Sequence, residues 1–195
     1  MYLSIAIWLI VASSALAFLY ILRCAYARAR DPKPDPNDAV HYLYPVDWAL
    51  LESLLDPATD FALRWSLDPR ALRAERRRRM RLYRELVRRM AHNSSVLADF
   101  DDALFADSHL SRGPDSKLRQ AIIKVRFYCA GVRLKLGVWL LLPDVFGLVL
   151  TPDLASLRKA VEVDGPKAYD ELRVAAVEAF ARLRPNELEA LTRGL

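Results

Sequence analysis

Apolar positions open the chain without interruption. Residues Tyr2 to Leu22, YLSIAIWLIVASSALAFLYIL, hold no charged side chain across 21 positions. Wound as an α-helix, the run would extend about 31 Å, close to the hydrocarbon thickness of a bilayer. It is longer than a signal peptide's apolar region and only Met1 precedes it, so the pattern predicts an uncleaved transmembrane helix. Arg23, Arg28, Arg30 and Lys33 follow the run and no base precedes it. That asymmetry predicts an outside N-terminus and a cytoplasmic remainder.

Alternating prolines come next. Asp31-Pro32-Lys33-Pro34-Asp35-Pro36-Asn37-Asp38 removes donors and fixes φ, which predicts a proline-rich spacer over residues 31–45, its first eight residues extending about 25 Å if straight.

Helical periodicity then takes over. A short helix is expected from Asp47, with Trp48, Leu51, Leu54 and Leu55 on one face and a stop before Pro57. A second, about 59–67, presents Phe61 and Trp65. Asp68-Pro69 reads as a cap followed by proline at the first helical position, opening a third helix that runs to His92. Its apolar face is Leu72, Leu82, Tyr83, Leu86, Val87 and Met90. Residues 93–106 continue it or form another helix, with Leu97, Phe100 and Leu104 inward, before the Arg112-Gly113-Pro114 breaker.

A long helix over about 115–142 carries two apolar stripes. Leu118, Ile122, Val125, Cys129, Val132, Leu136 and Trp139 make one; Ile123, Phe127, Ala130, Leu134, Val138 and Leu141 make the other, on the far side. Lys117, Lys124 and Lys135 edge one flank, Arg119, Arg126 and Arg133 the other. Two apolar faces predict a central helix covered on both sides, its bases snorkelling outward. The alternative leaves one stripe for a membrane interface or a partner helix. The apolar run 136–150 is interrupted by Pro143-Asp144 and is too short for a second span. Thr151-Pro152-Asp153 opens a helix that Gly165-Pro166 ends, and residues 167–183 form another with Ala168, Leu172, Ala175, Ala179 and Leu183 inward. Pro185-Asn186 starts a last short helix to Arg193. The expected fold is all-α: a transmembrane anchor with its basic flank (1–30), the spacer (31–45) and a helical bundle (46–195).

Composition changes this picture in one respect, through charge. The 195 residues carry a formal net charge of +5, with 23 Arg against 6 Lys. The positive charge is concentrated in two places. Residues 64–92 hold eleven arginines against Asp68, Glu75 and Glu85, and residues 117–143 hold six bases and no acid. On the third helix Arg70, Arg73, Arg77, Arg81, Arg84 and Arg88 fall on a single stripe. Like charges at that spacing destabilise a helix by a few tenths of a kcal/mol per pair, so the stripe is the candidate site for an anionic partner. Arg76 and Arg79 depart from it and project into the apolar sector. Buried arginines need partners, and the nearby Asp99, Asp101 and Asp102 are expected to supply them.

Chemistry is otherwise sparse. His41, His92 and His109 lack metal-ligand spacing, and the Asp99–Asp102 cluster is better explained by arginine pairing than by a metal. Nucleotide loops, nucleophile elbows and Cys-x-x-Cys are absent from the sequence. Two cysteines, Cys24 and Cys129, make no disulfide framework. The sequon at Asn93 is taken as chance. The sequence thus predicts a membrane-anchored, non-enzymatic interaction or scaffold protein, with no cofactor and no metal. Its partners would be the bilayer, through the N-terminal helix, and anionic lipid or an acidic protein, through the arginine stripe. Nucleic acid is the alternative for the same stripe.

Overall fold

The computed structural model describes residues 36–107, 116–146, 158–160 and 163–195. The chain divides into two compact units, Met1–Lys33 and Pro34–Leu195. The predicted anchor, Cys24 and the first residues of the spacer lie outside the described residues. Among the described residues, no helix is long and apolar enough to cross a membrane.

Among its described residues, the second unit is built almost wholly from helices. After a 3-10 helix, Pro36–Tyr42, come α1 (Trp48–Leu55), α2 (Pro57–Ser66), α3 (Pro69–Asp107) and α4 (Ser116–Phe146). A two-residue antiparallel ladder follows, β1 (Lys159–Ala160) with β2 (Val163–Asp164), pairing Lys159 with Asp164 and Ala160 with Val163. The chain closes with α5 (Gly165–Leu183), a 3-10 turn at Pro185–Glu187 and α6 (Leu188–Gly194). Helices α3, α4 and α5 form the bundle, with α4 packed on both neighbours.

Caps set the early boundaries. Asp47 Oδ1 accepts from the Leu50 amide at 2.9 Å, opening α1 where the sequence placed it. Helix α2 starts two residues earlier than expected, because Asp56 caps it through the Ala58 and Thr59 amides and Pro57 occupies its first turn. Asp68 Oδ1 accepts from the Arg70 and Ala71 amides at 2.7 and 2.9 Å, starting α3 as expected. Of the two readings for residues 93–106, the continuation holds: Asn93, Ser94 and Ser95 are carried within one helix of 39 residues. Ser94 Oγ bonds back to the Ala91 carbonyl at 2.9 Å, which satisfies the hydroxyl without ending the helix.

Three expectations are corrected. Residues 36–45 are not an extended spacer: Pro36 opens a 3-10 helix, and Ala39, Val40, Leu43 and Val46 are buried in the core. Apolar residues in this stretch outweigh the tendency of the preceding prolines. Gly165-Pro166 begins a helix and does not end one, because proline in a first turn lacks only a donor that would be unpaired anyway. The stretch just before it, 158–164, contains the small ladder where helix was expected; residues 151–157 lie outside the described residues. Phe61, Trp65 and Leu82 are exposed.

The core runs along the inner faces. Tyr83, Leu86, Val87, Met90, Leu97 and Phe100 of α3 are buried, as are Leu118, Ile122, Val125, Cys129, Val132 and Leu136 of α4. From α5 come Ala168, Tyr169, Leu172, Ala175, Ala176, Ala179 and Phe180. The alanines allow α5 to lie close to α4, and Phe100 stacks on Phe180 with ring centroids 4.3 Å apart.

Two buried polar nodes hold this core in register. The fully buried Asn93 accepts from the Tyr44 amide at 2.9 Å and donates to the Tyr44 carbonyl at 2.8 Å and the Tyr169 hydroxyl at 2.7 Å. The second node is the hydrogen bond between the Tyr83 and Tyr128 hydroxyls, with both rings fully buried. Gly165 abuts the Tyr128 ring: a Cβ at that position would collide with Tyr128 Cζ.

Gly165→Ala is therefore expected to displace the Tyr128 ring and cost about 1–3 kcal/mol, the range for overpacking, measured by urea denaturation of the full chain. Alkali gives a second handle. Burial pushes the Tyr83 and Tyr128 phenols well above their ordinary value, and pushes Tyr169 up to about 12. A raised folded pKa favours the folded state fully below the unfolded value of about 10. Melting temperature should hold up to that pH, then fall as pH climbs through the folded values, and Tyr169→Phe should flatten the fall.

Candidate interaction surface

Helix α3 carries two populations of arginine, and its geometry separates them. Arg70, Arg73, Arg77, Arg81, Arg84 and Arg88 are all exposed. Only Arg88 of these six forms an ion pair with a described residue, at 3.8 Å from Glu85. Asp68 sits at the head of the stripe, its carboxyl held below the usual range by the Ala71 and Arg70 amides and by the charge of Arg73. The six arginines thus share one exposed side of α3.

Arg76 and Arg79 behave differently. Both are buried, as their position in the apolar sector requires. Their partners are not those expected. Arg76 Nη2 and Nε reach the Asp60 carboxylate of α2 at 2.8 and 3.1 Å, a two-pronged ion pair with both side chains under a tenth exposed. Arg79 Nη2 donates to the Ser53 and Leu54 carbonyls at 2.9 Å, filling acceptors left open at the end of α1. Asp99 to Asp102 sit on the same continuous helix, so Asp99 lies about 35 Å along the axis from Arg76. Burial would raise the Asp60 carboxyl, but hydrogen bonds from Arg76 and Arg64 outweigh it and hold the group below the usual range.

The acidic cluster is dispersed around the helix. Asp101 is buried, whereas the exposed Asp102 faces Arg119 of α4 at 3.7 Å. Among the described residues, no group of three or more His, Cys, Asp or Glu side chains could hold a metal ion. His92 Nε2 lies 2.9 Å from the Tyr42 carbonyl and its ring contacts Tyr44, a structural placement; His109 lies outside the described residues. Burial raises the Cys129 thiol to about 12, which keeps it protonated at neutral pH.

Helix α4 adds a feature whose status the sequence left between two readings. Its first apolar stripe is core, but Ile123, Phe127 and Leu134 of the second are 47%, 60% and 71% exposed, and Ala130 between them is exposed as well. The expectation of a helix covered on both faces is corrected over this stretch: α3 and α5 share the same inner side of α4. The period-3.6 pattern revealed the stripe but carried no signal for how many neighbours the helix would have. Lys124 reaches Glu171 of α5 at 2.6 Å and Lys117 reaches Glu178 at 3.5 Å, so the lysine flank borders α5 and the arginine flank borders α3.

Comparison with protein-family models, with curated proteins and with solved structures finds no match for this chain.

The two arginine populations predict opposite responses. Asp60→Asn should cost about 3 kcal/mol by leaving the Arg76 charge in a site built for a carboxylate. The joint change of Arg73, Arg77, Arg81 and Arg84 to Gln should leave stability within about 0.5 kcal/mol. Because the folded Asp60 pKa is depressed, its contribution should be present above about pH 4 and be lost as pH falls through the folded value. Asp60→Asn should accordingly weaken the acid dependence of denaturation midpoints between pH 2 and 5 (roughly the span over which such a group titrates).

Proposed function

We propose that this is a single-pass membrane protein, anchored by Tyr2–Leu22 with its N-terminus outside, whose cytoplasmic helical domain is a non-enzymatic interaction module. In this reading the Arg70, Arg73, Arg77, Arg81, Arg84 and Arg88 stripe receives an anionic surface, supplied by an acidic protein or by lipid headgroups. The supporting observation is the division of labour on α3. Buried arginines there are matched to Asp60 and to helix-end carbonyls. Five of the six stripe arginines, Arg88 excepted, have no ion-pair partner among the described residues. A surface of aligned, mutually repelling guanidinium groups gains most from an external anion that neutralises several at once.

The test uses the full chain in native membranes, with a photo-crosslinker replacing the exposed Ala74 beside the stripe. Adducts with an acidic protein or anionic lipid are expected, weakened by high salt and lost when Arg73, Arg77, Arg81 and Arg84 are changed to Gln. Equal adducts from the wild-type and Gln forms would sink the proposal. A nucleic-acid adduct with the same salt dependence would transfer the stripe to the alternative reading.

A further inference from the structure

The exposed apolar row on α4 has a geometry that the arginine stripe does not explain. From Ile123 to Leu134 it extends about 16 Å along the helix, and it lies roughly 150° around the axis from the buried stripe. Since the buried stripe faces α3 and α5, the row looks away from both of them. Isolated exposed apolar residues are ordinary on a protein surface, but Ile123, Phe127 and Leu134 are aligned, large and flanked on both edges by bases.

From this we infer that the row Ile123, Phe127, Ala130 and Leu134 is an interfacial docking surface for an anionic bilayer, separate from the arginine stripe. The inference rests on the anchoring reading above, which brings a bilayer within reach of the domain.

Charge selects the occupant. No acid occurs on the helix between residues 117 and 143, and the row is bordered by Arg119, Arg126 and Arg133 on one side and Lys117, Lys124 and Lys135 on the other. A second copy of this chain seated on the same row would bring like-charged borders together. An anionic bilayer accepts the apolar row below its headgroups and offers phosphates to both borders, the arrangement that holds amphipathic helices in the interface plane. Some of these bases already face acids, as at Lys117–Glu178 and Arg119–Asp102, with distances of 3.5 and 3.7 Å. Those bridges are exposed and weak, so lipid phosphates can compete for the bases. Arg133 is exposed and forms no ion pair with a described residue.

The inference also narrows the role of the stripe on α3. The inner faces of α3 and α4 meet, so their outer faces turn away from each other. A bilayer seated on α4 leaves the arginine stripe facing the cytoplasm, open to an acidic protein.

The experiment places an environment-sensitive fluorophore on Phe127→Cys in full chain carrying Cys24→Ser. Cys129 is buried and should not react. The chain is reconstituted in neutral and in phosphatidylserine-containing nanodiscs with an acyl-chain quencher, and a label at the exposed Val174 on α5 is the control. Quenching at 127 should exceed that at 174 severalfold in anionic discs, and should fall to the control level in neutral discs or when Ile123 and Leu134 are changed to Ser. Circular dichroism melting verifies that each variant is folded. Equal quenching at 127 and 174 in anionic discs overturns the inference while leaving the anchor intact. Retention of the chain on the disc in high salt reports the anchor separately. If the chain is not retained, the anchoring reading falls, and the same label on anionic liposomes decides the row: no quenching there overturns it.

Discussion

A single carboxamide fixes the register of the domain. Asn93 lies at the middle of α3, without solvent contact, and joins the Tyr44 backbone on one side to the Tyr169 hydroxyl on the other. Its acceptor and donor ends read the amide and carbonyl of the same residue, so the segment before α1 can seat in one frame only. A buried amide that lost these partners would cost more than the bonds themselves contribute, because its desolvation would be uncompensated. The same burial removes Asn93 from any role as a glycan acceptor. Next to this node, the Tyr83–Tyr128 pair ties α3 to α4 and the Gly165 contact ties α5 to α4.

Charge on α3 is organised by the same constraint. A helix of 39 residues has only part of its length and one side available to the core, yet its basic half carries arginines on nearly every side. The two that cannot avoid the interior are matched by short elements folded over it: α2 supplies Asp60 and α1 supplies the carbonyls of Ser53 and Leu54. These small helices close the interior around guanidinium groups as well as around Leu51, Leu54 and Leu55. The burial of α2 illustrates the point, since its buried residue is Asp60 while Phe61 and Trp65 stand in solvent.

How much of this was legible follows from the range over which each signal acts. Local signals carried through: the Asp47 and Asp68 caps, the inner face of α5 from Ala168 to Ala179, and the inner stripe of α4 from Leu118 to Leu136 are set by residues within a few turns of one another. The burial of Arg76 and Arg79 was also readable, being a matter of angle around one helix. Their partners were not. Sequence proximity suggested Asp99–Asp102, but on one continuous helix at 1.5 Å per residue those carboxylates lie about 30 Å or more along the axis from Arg76 and Arg79, out of reach. Asp56-Pro57 carries the same cap-then-proline signal as Asp68-Pro69, and the chain uses both to open helices. Gly165-Pro166 illustrates an ambiguity: the pair can close one helix or open the next, and only the Tyr128 ring shows why glycine is needed here.

The apolar row on α4 marks the limit of periodicity as a signal. A stripe at helical spacing specifies that a face is apolar, whereas coverage depends on how many helices the chain has left to place. Here α3 and α5 both take the same inner side, and α6, only seven residues long, packs on α5 and the first 3-10 helix. The bundle therefore closes with one apolar face of its central helix turned outward between two basic borders. The arginine face of α3 is outward for a different reason: it has no apolar side chains to bury. One domain thus presents two surfaces of different physical character, one purely electrostatic and one apolar with a charged rim. A bilayer satisfies the second far better than the first, because only the second returns hydrophobic free energy on insertion.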